Sequence, residues 1–216
     1  MKARFLSLFQ TLFDTLLPLR PRSARTRSRT VEDIEPVTAT HELLGIQITT
    51  IMEYRDPAVS DMIRALKYEH SSHAATLAAS VLADFLREEI ASLKTFSPRP
   101  ILLVPVPLHI SRLHERGFNQ IEKVLRALPP EFKNGTLSRI STDALARTRA
   151  TPQQTRLSRS ERLKNVEGAF AATHTVKDTH VILVDDVTTT GATLAEAAKA
   201  LQKSGAEVTA LALAHA

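Results

Sequence analysis

The stretch Val181-Ile182-Leu183-Val184-Asp185-Asp186-Val187-Thr188-Thr189-Thr190-Gly191-Ala192-Thr193 decides how this chain is read. Its four leading apolar residues make a short buried strand. Two carboxylates, Asp185 and Asp186, stand at the strand's end, and a hydroxyl-rich loop with one glycine follows them. Leu194 to Lys203 then has helical periodicity and is stopped by Gly205. In an open α/β sheet, ligands bind at such a junction, outside the carboxyl ends of the strands. The loop's N–H groups and the helix N-terminus suit a phosphate. The adjacent carboxylates suit sugar hydroxyls or a hydrated Mg²⁺. One junction therefore supplies both halves of a site for a ribose 5-phosphate. An apolar strand followed by two acids also resembles a Walker B strand, but the chain has no GxxxxGK[ST] loop to go with it. A dinucleotide fingerprint is absent as well.

The wider composition is that of one ordinary domain with appendages. At 216 residues and 43% hydrophobic content, the chain can bury a core. With no cysteine, it has no disulfide framework, thiolate zinc site or cysteine nucleophile, and a reducing, cytoplasmic location is expected. The net charge of +5 is unevenly placed. Residues 1–30 hold Lys2, Arg4, Arg20, Arg22, Arg25, Arg27 and Arg29 against Asp14 alone, so the rest of the chain is close to neutral. Phe5, Leu8, Phe9, Leu12, Phe13, Leu16 and Leu17 fall at helical spacing, which predicts an amphipathic helix docked on the body. That helix is too short to span a bilayer. Residues 20–30 read as a mobile basic linker. The expected division is an N-terminal helix and linker over 1–44 and one domain over 45–216.

Within that domain, strands and helices alternate. Strands are expected at Ile46–Tyr54, Ile101–Val106, Leu137–Ile140, Val181–Val184 and Glu207–Leu213. Helices are expected from Pro57 to Tyr68, His73 to Leu93, Phe118 to Leu128, Ser158 to Asn165 and Leu194 to Lys203. The pattern predicts an α/β fold, a mainly parallel sheet with helices on both faces. The stretch between Val106 and Phe118 reads as a loop, and it offers Arg112 and Arg116 at the carboxyl end of a strand. Arginine binds phosphate oxygens bidentately. Arg147 and Arg149 open a basic stretch running to Lys164. Lys67, on a predicted helix, either reaches the site or faces solvent. His109 and His114 read as loop histidines rather than metal ligands.

The run of acids and threonines resembles the signature of type I phosphoribosyltransferases, which use phosphoribosyl diphosphate (PRPP). Further stretches carry a narrower resemblance: Arg64-Ala65-Leu66-Lys67-Tyr68; Pro105-Val106-Pro107-Leu108-His109 with Arg112 and Arg116-Gly117-Phe118-Asn119-Gln120; Leu145-Ala146-Arg147-Thr148-Arg149; and Gly168-Ala169-Phe170. Together they are similar to the ComF family of phosphoribosyltransferase-like proteins, a family linked to competence and DNA uptake. This resemblance implies a type I phosphoribosyltransferase-like fold and a set of roles. Asp185 and Asp186 would be catalytic, binding the ribose hydroxyls directly or through Mg²⁺. Thr188, Thr189, Thr190, Gly191, Ala192 and Thr193 would cradle the 5′-phosphate. Arg112, Arg116, Arg147, Arg149 and Lys67 would face the diphosphate, with the 147–164 stretch as a closing loop. The implied activity is displacement of diphosphate at C1 with Mg²⁺ as cofactor. The alternative is a non-catalytic protein that senses PRPP or holds single-stranded DNA, through the basic arm or the site arginines. Chains of the family usually open with a four-cysteine zinc module. Here Leu16-Leu17-Pro18-Leu19-Arg20 resembles its lead-in, and arginines follow in place of cysteines.

Overall fold

A computed structural model describes residues 21–149, 166–173 and 176–216. The expected helices over 5–17 and 158–165, and most of the proposed closing loop, lie outside the described residues.

The described chain opens with helix α1, Pro21–Arg27, where the sequence suggests a linker. Arg25 grips Asp61 with Nε and Nη2 at 2.8 and 2.9 Å, and Thr26 is buried. The basic arm is therefore partly fastened to the body. Strands β1, Ala39–Leu43, and β2, Ile46–Glu53, form a hairpin. Its turn, Leu44-Gly45, has positive φ at both residues, which matches the twist of the flanking strands. The sheet thus begins ahead of residue 45.

Helix α2, Pro57–Glu69, starts where the sequence predicts. The Asp56 carboxylate accepts from the N–H groups of Ala58 and Val59, and Pro57 takes the first turn, where no donor is needed. Helix α3, Ser72–Phe96, is capped by Ser71 and buries an alanine- and leucine-rich face. Strand β3, Ile101–Pro105, leads into helix α4, Ile110–Arg116, and helix α5, Gln120–Ala127. Strand β4, Arg139–Ile140, is short. Strands β5, Leu145–Arg147, and β6, Phe170–Ala172, pair antiparallel as a separate small sheet. Strand β7, His180–Thr188, helix α6, Ala192–Lys203, and strand β8, Glu207–His215, complete the chain.

The main sheet has the order β1-β2-β8-β7-β3-β4. Only β1 runs antiparallel; the other neighbours are parallel. Side chains alternate across it. Ile182 and Val184 of β7 join a core with α2, α3 and α5, while Val181 and Leu183 join a second core with α6, β5 and β6. Helices therefore cover both faces, as expected. Each fully buried Leu, Ile or Val contributes about 1.5–3 kcal/mol, and both cores are built almost wholly of such residues and alanine.

Candidate active site

Strand order places the site. From β3 the chain passes through α4 and α5 to β4, on one side. From β7 it passes through α6 to β8, on the other. Because β3 and β7 are neighbours, the two connections diverge and leave a crevice at their carboxyl ends.

The acids line this crevice from within the sheet. β7 does not end at Val184 but continues to Thr188, so Asp185 and Asp186 are strand residues. Alternation then sends them to opposite faces. Asp186 is buried on the α2–α5 side. Its Oδ1 lies 2.8 Å from Lys67 Nζ, and its Oδ2 accepts a short hydrogen bond from Gln120 Nε2. Asp185 is partly buried toward β5, which carries Arg147, and the charges of Lys67 from the other face and of Arg147 both act on it. Burial, reinforced by the Asp186 charge, pushes the Asp185 carboxyl up to about 7. The Asp186 N–H, which donates to Asp185 Oδ1 at 2.8 Å, and the cations at Lys67 and Arg147 oppose that rise. Burial, and then the neighbouring Arg112 charge, lower the pKa of Arg147.

The hydroxyl loop is three residues long, from the end of β7 at Thr188 to the start of α6 at Ala192. Thr188 is buried, and its carbonyl accepts from the Ala216 N–H at 3.0 Å. Thr189 is exposed; Thr190 and Thr193 are partly buried. Gly191 has φ +75°, and a Cβ there would come within 2.7 Å of Ile48 and 2.8 Å of Leu43. Only glycine meets both demands. The hairpin thus backs the loop, and α6 begins at Ala192 with no side chain capping it. Such a loop can present its amides to an oxyanion.

The expected arginines are not in a loop. Arg112 and Arg116 lie on α4, whose N-cap is His109 and whose C-cap is Gly117 at φ 76°. His109 is a capping residue, and no group of three or more His, Cys, Asp or Glu that could hold a metal occurs among the described residues. Arg116 Nη1 donates to Gln120 Oε1 at 3.3 Å, which links it through Gln120 to Asp186. Its guanidinium lies 5.3 Å from the Tyr68 ring centroid. Arg147 stacks on Phe170 at 5.2 Å. Lys67 thus meets Asp186 directly, Arg147 acts on Asp185, Arg116 reaches Asp186 through Gln120, and Arg112 lies near enough to Arg147 for its charge to be felt there. Arg149 Nη2 instead donates to the Glu167 carbonyl at 2.6 Å.

Gln120 is the site residue that sequence reading overlooks. It is 2% exposed, and it occupies the first turn of a helix whose other buried residues are apolar. A glutamine at a core-facing position is the signal that could have found it.

A divalent ion resident on the acids does not fit this arrangement. Lys67 Nζ and Gln120 Nε2 already hold the two Asp186 oxygens, so an ion bound directly to Asp186 would have to displace the lysine. An ion carried in on a diphosphate, touching the acids through water, is compatible with it.

Known proteins resemble this chain. Residues 116–216 match the phosphoribosyl transferase domain family. The DNA utilization protein YhgH of Escherichia coli O6:H1 is 34% identical over 161 residues, covering 74% of this chain and 67% of that protein. The competence protein ComFC of Streptococcus pneumoniae is 28% identical over 166 residues, covering 77% and 66%. The competence protein F of Haemophilus influenzae is 35% identical over 111 residues, covering 50% and 47%.

Proposed function

Since this chain belongs to the ComF family of phosphoribosyltransferase-like proteins, we propose that its crevice binds PRPP and transfers the phosphoribosyl group. The observation that carries this reading is the meeting, at the β3–β7 crevice, of two strand-borne carboxylates with the glycine-requiring loop before α6. In this reading the amides of residues 189–193 hold the 5′-phosphate. The open oxygen of Asp185 accepts from ribose hydroxyls. Arg112, Arg116 and Arg147 face the diphosphate. Cleavage of the C1–O bond releases diphosphate and leaves positive charge on the ribose, and a nucleophile then bonds to C1. Asp185 stabilises that charge, and the arginines stabilise the departing anion. Mg²⁺, entering on the diphosphate, would supply further neutralisation of the leaving group.

A second reading is retention of the site as a sensor, with nucleic acid as the partner. It is supported by the names of the relatives and by a rim on which aromatic rings alternate with cations. Tyr68 is 53% exposed beneath Arg116, while Phe118 meets the His70 ring at 4.3 Å and Lys123 at 5.7 Å. Such platforms stack bases and hold phosphates.

Calorimetric titration with PRPP, with and without Mg²⁺, followed by an assay for released diphosphate, tests both readings. Binding with diphosphate release on adding a nucleobase pool supports transfer. Binding without release, with single-stranded DNA competing, supports the sensor. Absence of PRPP binding overturns both.

A further inference from the structure

We infer that Lys67 is a built-in counter-ion for the acidic pair, taking the place on Asp186 that a free divalent cation would otherwise take. The inference rests on the phosphoribosyl reading only for what the site holds; the cation itself is argued from geometry alone. Lys67 is near the end of a 13-residue helix whose start is fixed by the Asp56 cap. Its neighbours Ala65 and Leu66 are fully buried in the core, so the helix cannot rotate to release it. Its ammonium lies 2.8 Å from Asp186 Oδ1, and their side chains are 19% and 10% exposed. Gln120 Nε2 takes the other oxygen, and Arg116 fixes the Gln120 amide by donating to its Oε1. Each Asp186 oxygen is therefore engaged by a donor that no ligand needs to bring.

This division has a chemical consequence. A carboxylate pair with both members open attracts divalent cations, because two like charges so close are unfavourable without one. Here the protein supplies a cation on a rigid helix, which leaves Asp185 as the acid that meets ligand. Lys67 is thus a positioning residue. It holds Asp186 and offsets one of the pair's two negative charges, rather than binding the diphosphate directly. Ribose 5-phosphate should then enter without metal.

The test uses Mn²⁺ standing in for Mg²⁺, read by electron paramagnetic resonance on the full chain without ligand. The wild type should bind Mn²⁺ only weakly. Lys67→Gln should bind it about tenfold or more tighter, because the pair loses its nearest cation. Lys67→Arg should restore weak binding. The gain should vanish in Lys67→Gln/Asp186→Asn, which separates this site from histidines elsewhere. Tight Mn²⁺ binding by the wild type that is lost in Asp186→Asn would overturn the inference. So would a folded Lys67→Gln with no gain. Should both lysine variants unfold, the wild-type titration still decides between these results. Ribose 5-phosphate titrated in EDTA reports separately on the phosphoribosyl reading: its failure to bind there and with Mg²⁺ sinks that reading and leaves the Mn²⁺ result to stand alone.

Discussion

Asp185 is the residue on which charge and chemistry meet. Its carboxyl ionises at about 7 in the fold against an ordinary 3.8. Between these values the folded chain keeps a proton that the unfolded chain has released, so stability falls as pH rises through that window, and the full cost is present above it. Asp185→Asn should therefore stabilise the protein at alkaline pH, by about 1 kcal/mol, and have less effect in acid; chemical denaturation at both pH values checks this. Binding has the opposite dependence. The ionised carboxylate accepts from ribose hydroxyls more strongly than the protonated acid, so ribose 5-phosphate affinity should climb as pH passes about 7, beyond the phosphate's own second ionisation near 6, and Asp185→Asn should abolish the later rise. Gly191 poses a geometric demand rather than an electrical one. Gly191→Ala adds a strained φ and a clash with Leu43 and Ile48, a cost of about 2–4 kcal/mol that a thermal melt would show, together with weaker phosphate binding.

At the scale of elements, caps set the site's geometry. Asn119 accepts from the N–H groups of Ile121 and Glu122, and its Nδ2 donates to the Val106 carbonyl at 2.9 Å. One side chain thus starts α5, where Gln120 sits, and ties it to the end of β3. Asn119→Ala should cost about 1–2 kcal/mol in denaturant unfolding and loosen Gln120, so ligand affinity should fall with it. The legible elements are those with a strong period or a strong stop. Helix α2 follows Asp56-Pro57, α3 has its alanine-leucine face, and α6 ends before Gly205. Helix α4 is not legible, because its apolar residues Ile110 and Leu113 are 60% and 41% exposed and make no buried stripe. Strand β1 alternates between partly buried and exposed residues, with no apolar run to mark it. The last residues of β7 mislead for a related reason. Two acids look like a loop, yet pairing with β8 through Thr188↔His215 keeps them in the sheet. That difference decides which face each acid serves, and no local pattern carries it.

Across the whole molecule, the sheet's order does what no single segment does: it makes β3 and β7 neighbours and parts their connections. The alternation of strands and helices predicts the parallel sheet and the covering of both faces, and both are present. The meeting of Lys67 and Gln120 on Asp186, and of Arg147 with Asp185, depends on contacts between segments far apart in sequence, so it is visible only in three dimensions. The basic arm shows the same limit: Arg25 is held by Asp61, an interaction that charge counting cannot reveal. The central claim, that the β3–β7 crevice takes the phosphoribosyl group, is tested most directly by amide hydrogen exchange with and without PRPP. Exchange should slow at residues 188–194 and across 106–120, with little change along α3 or the outer strand β1. PRPP binding that left both of those segments unprotected, or that protected a different edge of the sheet, would contradict it.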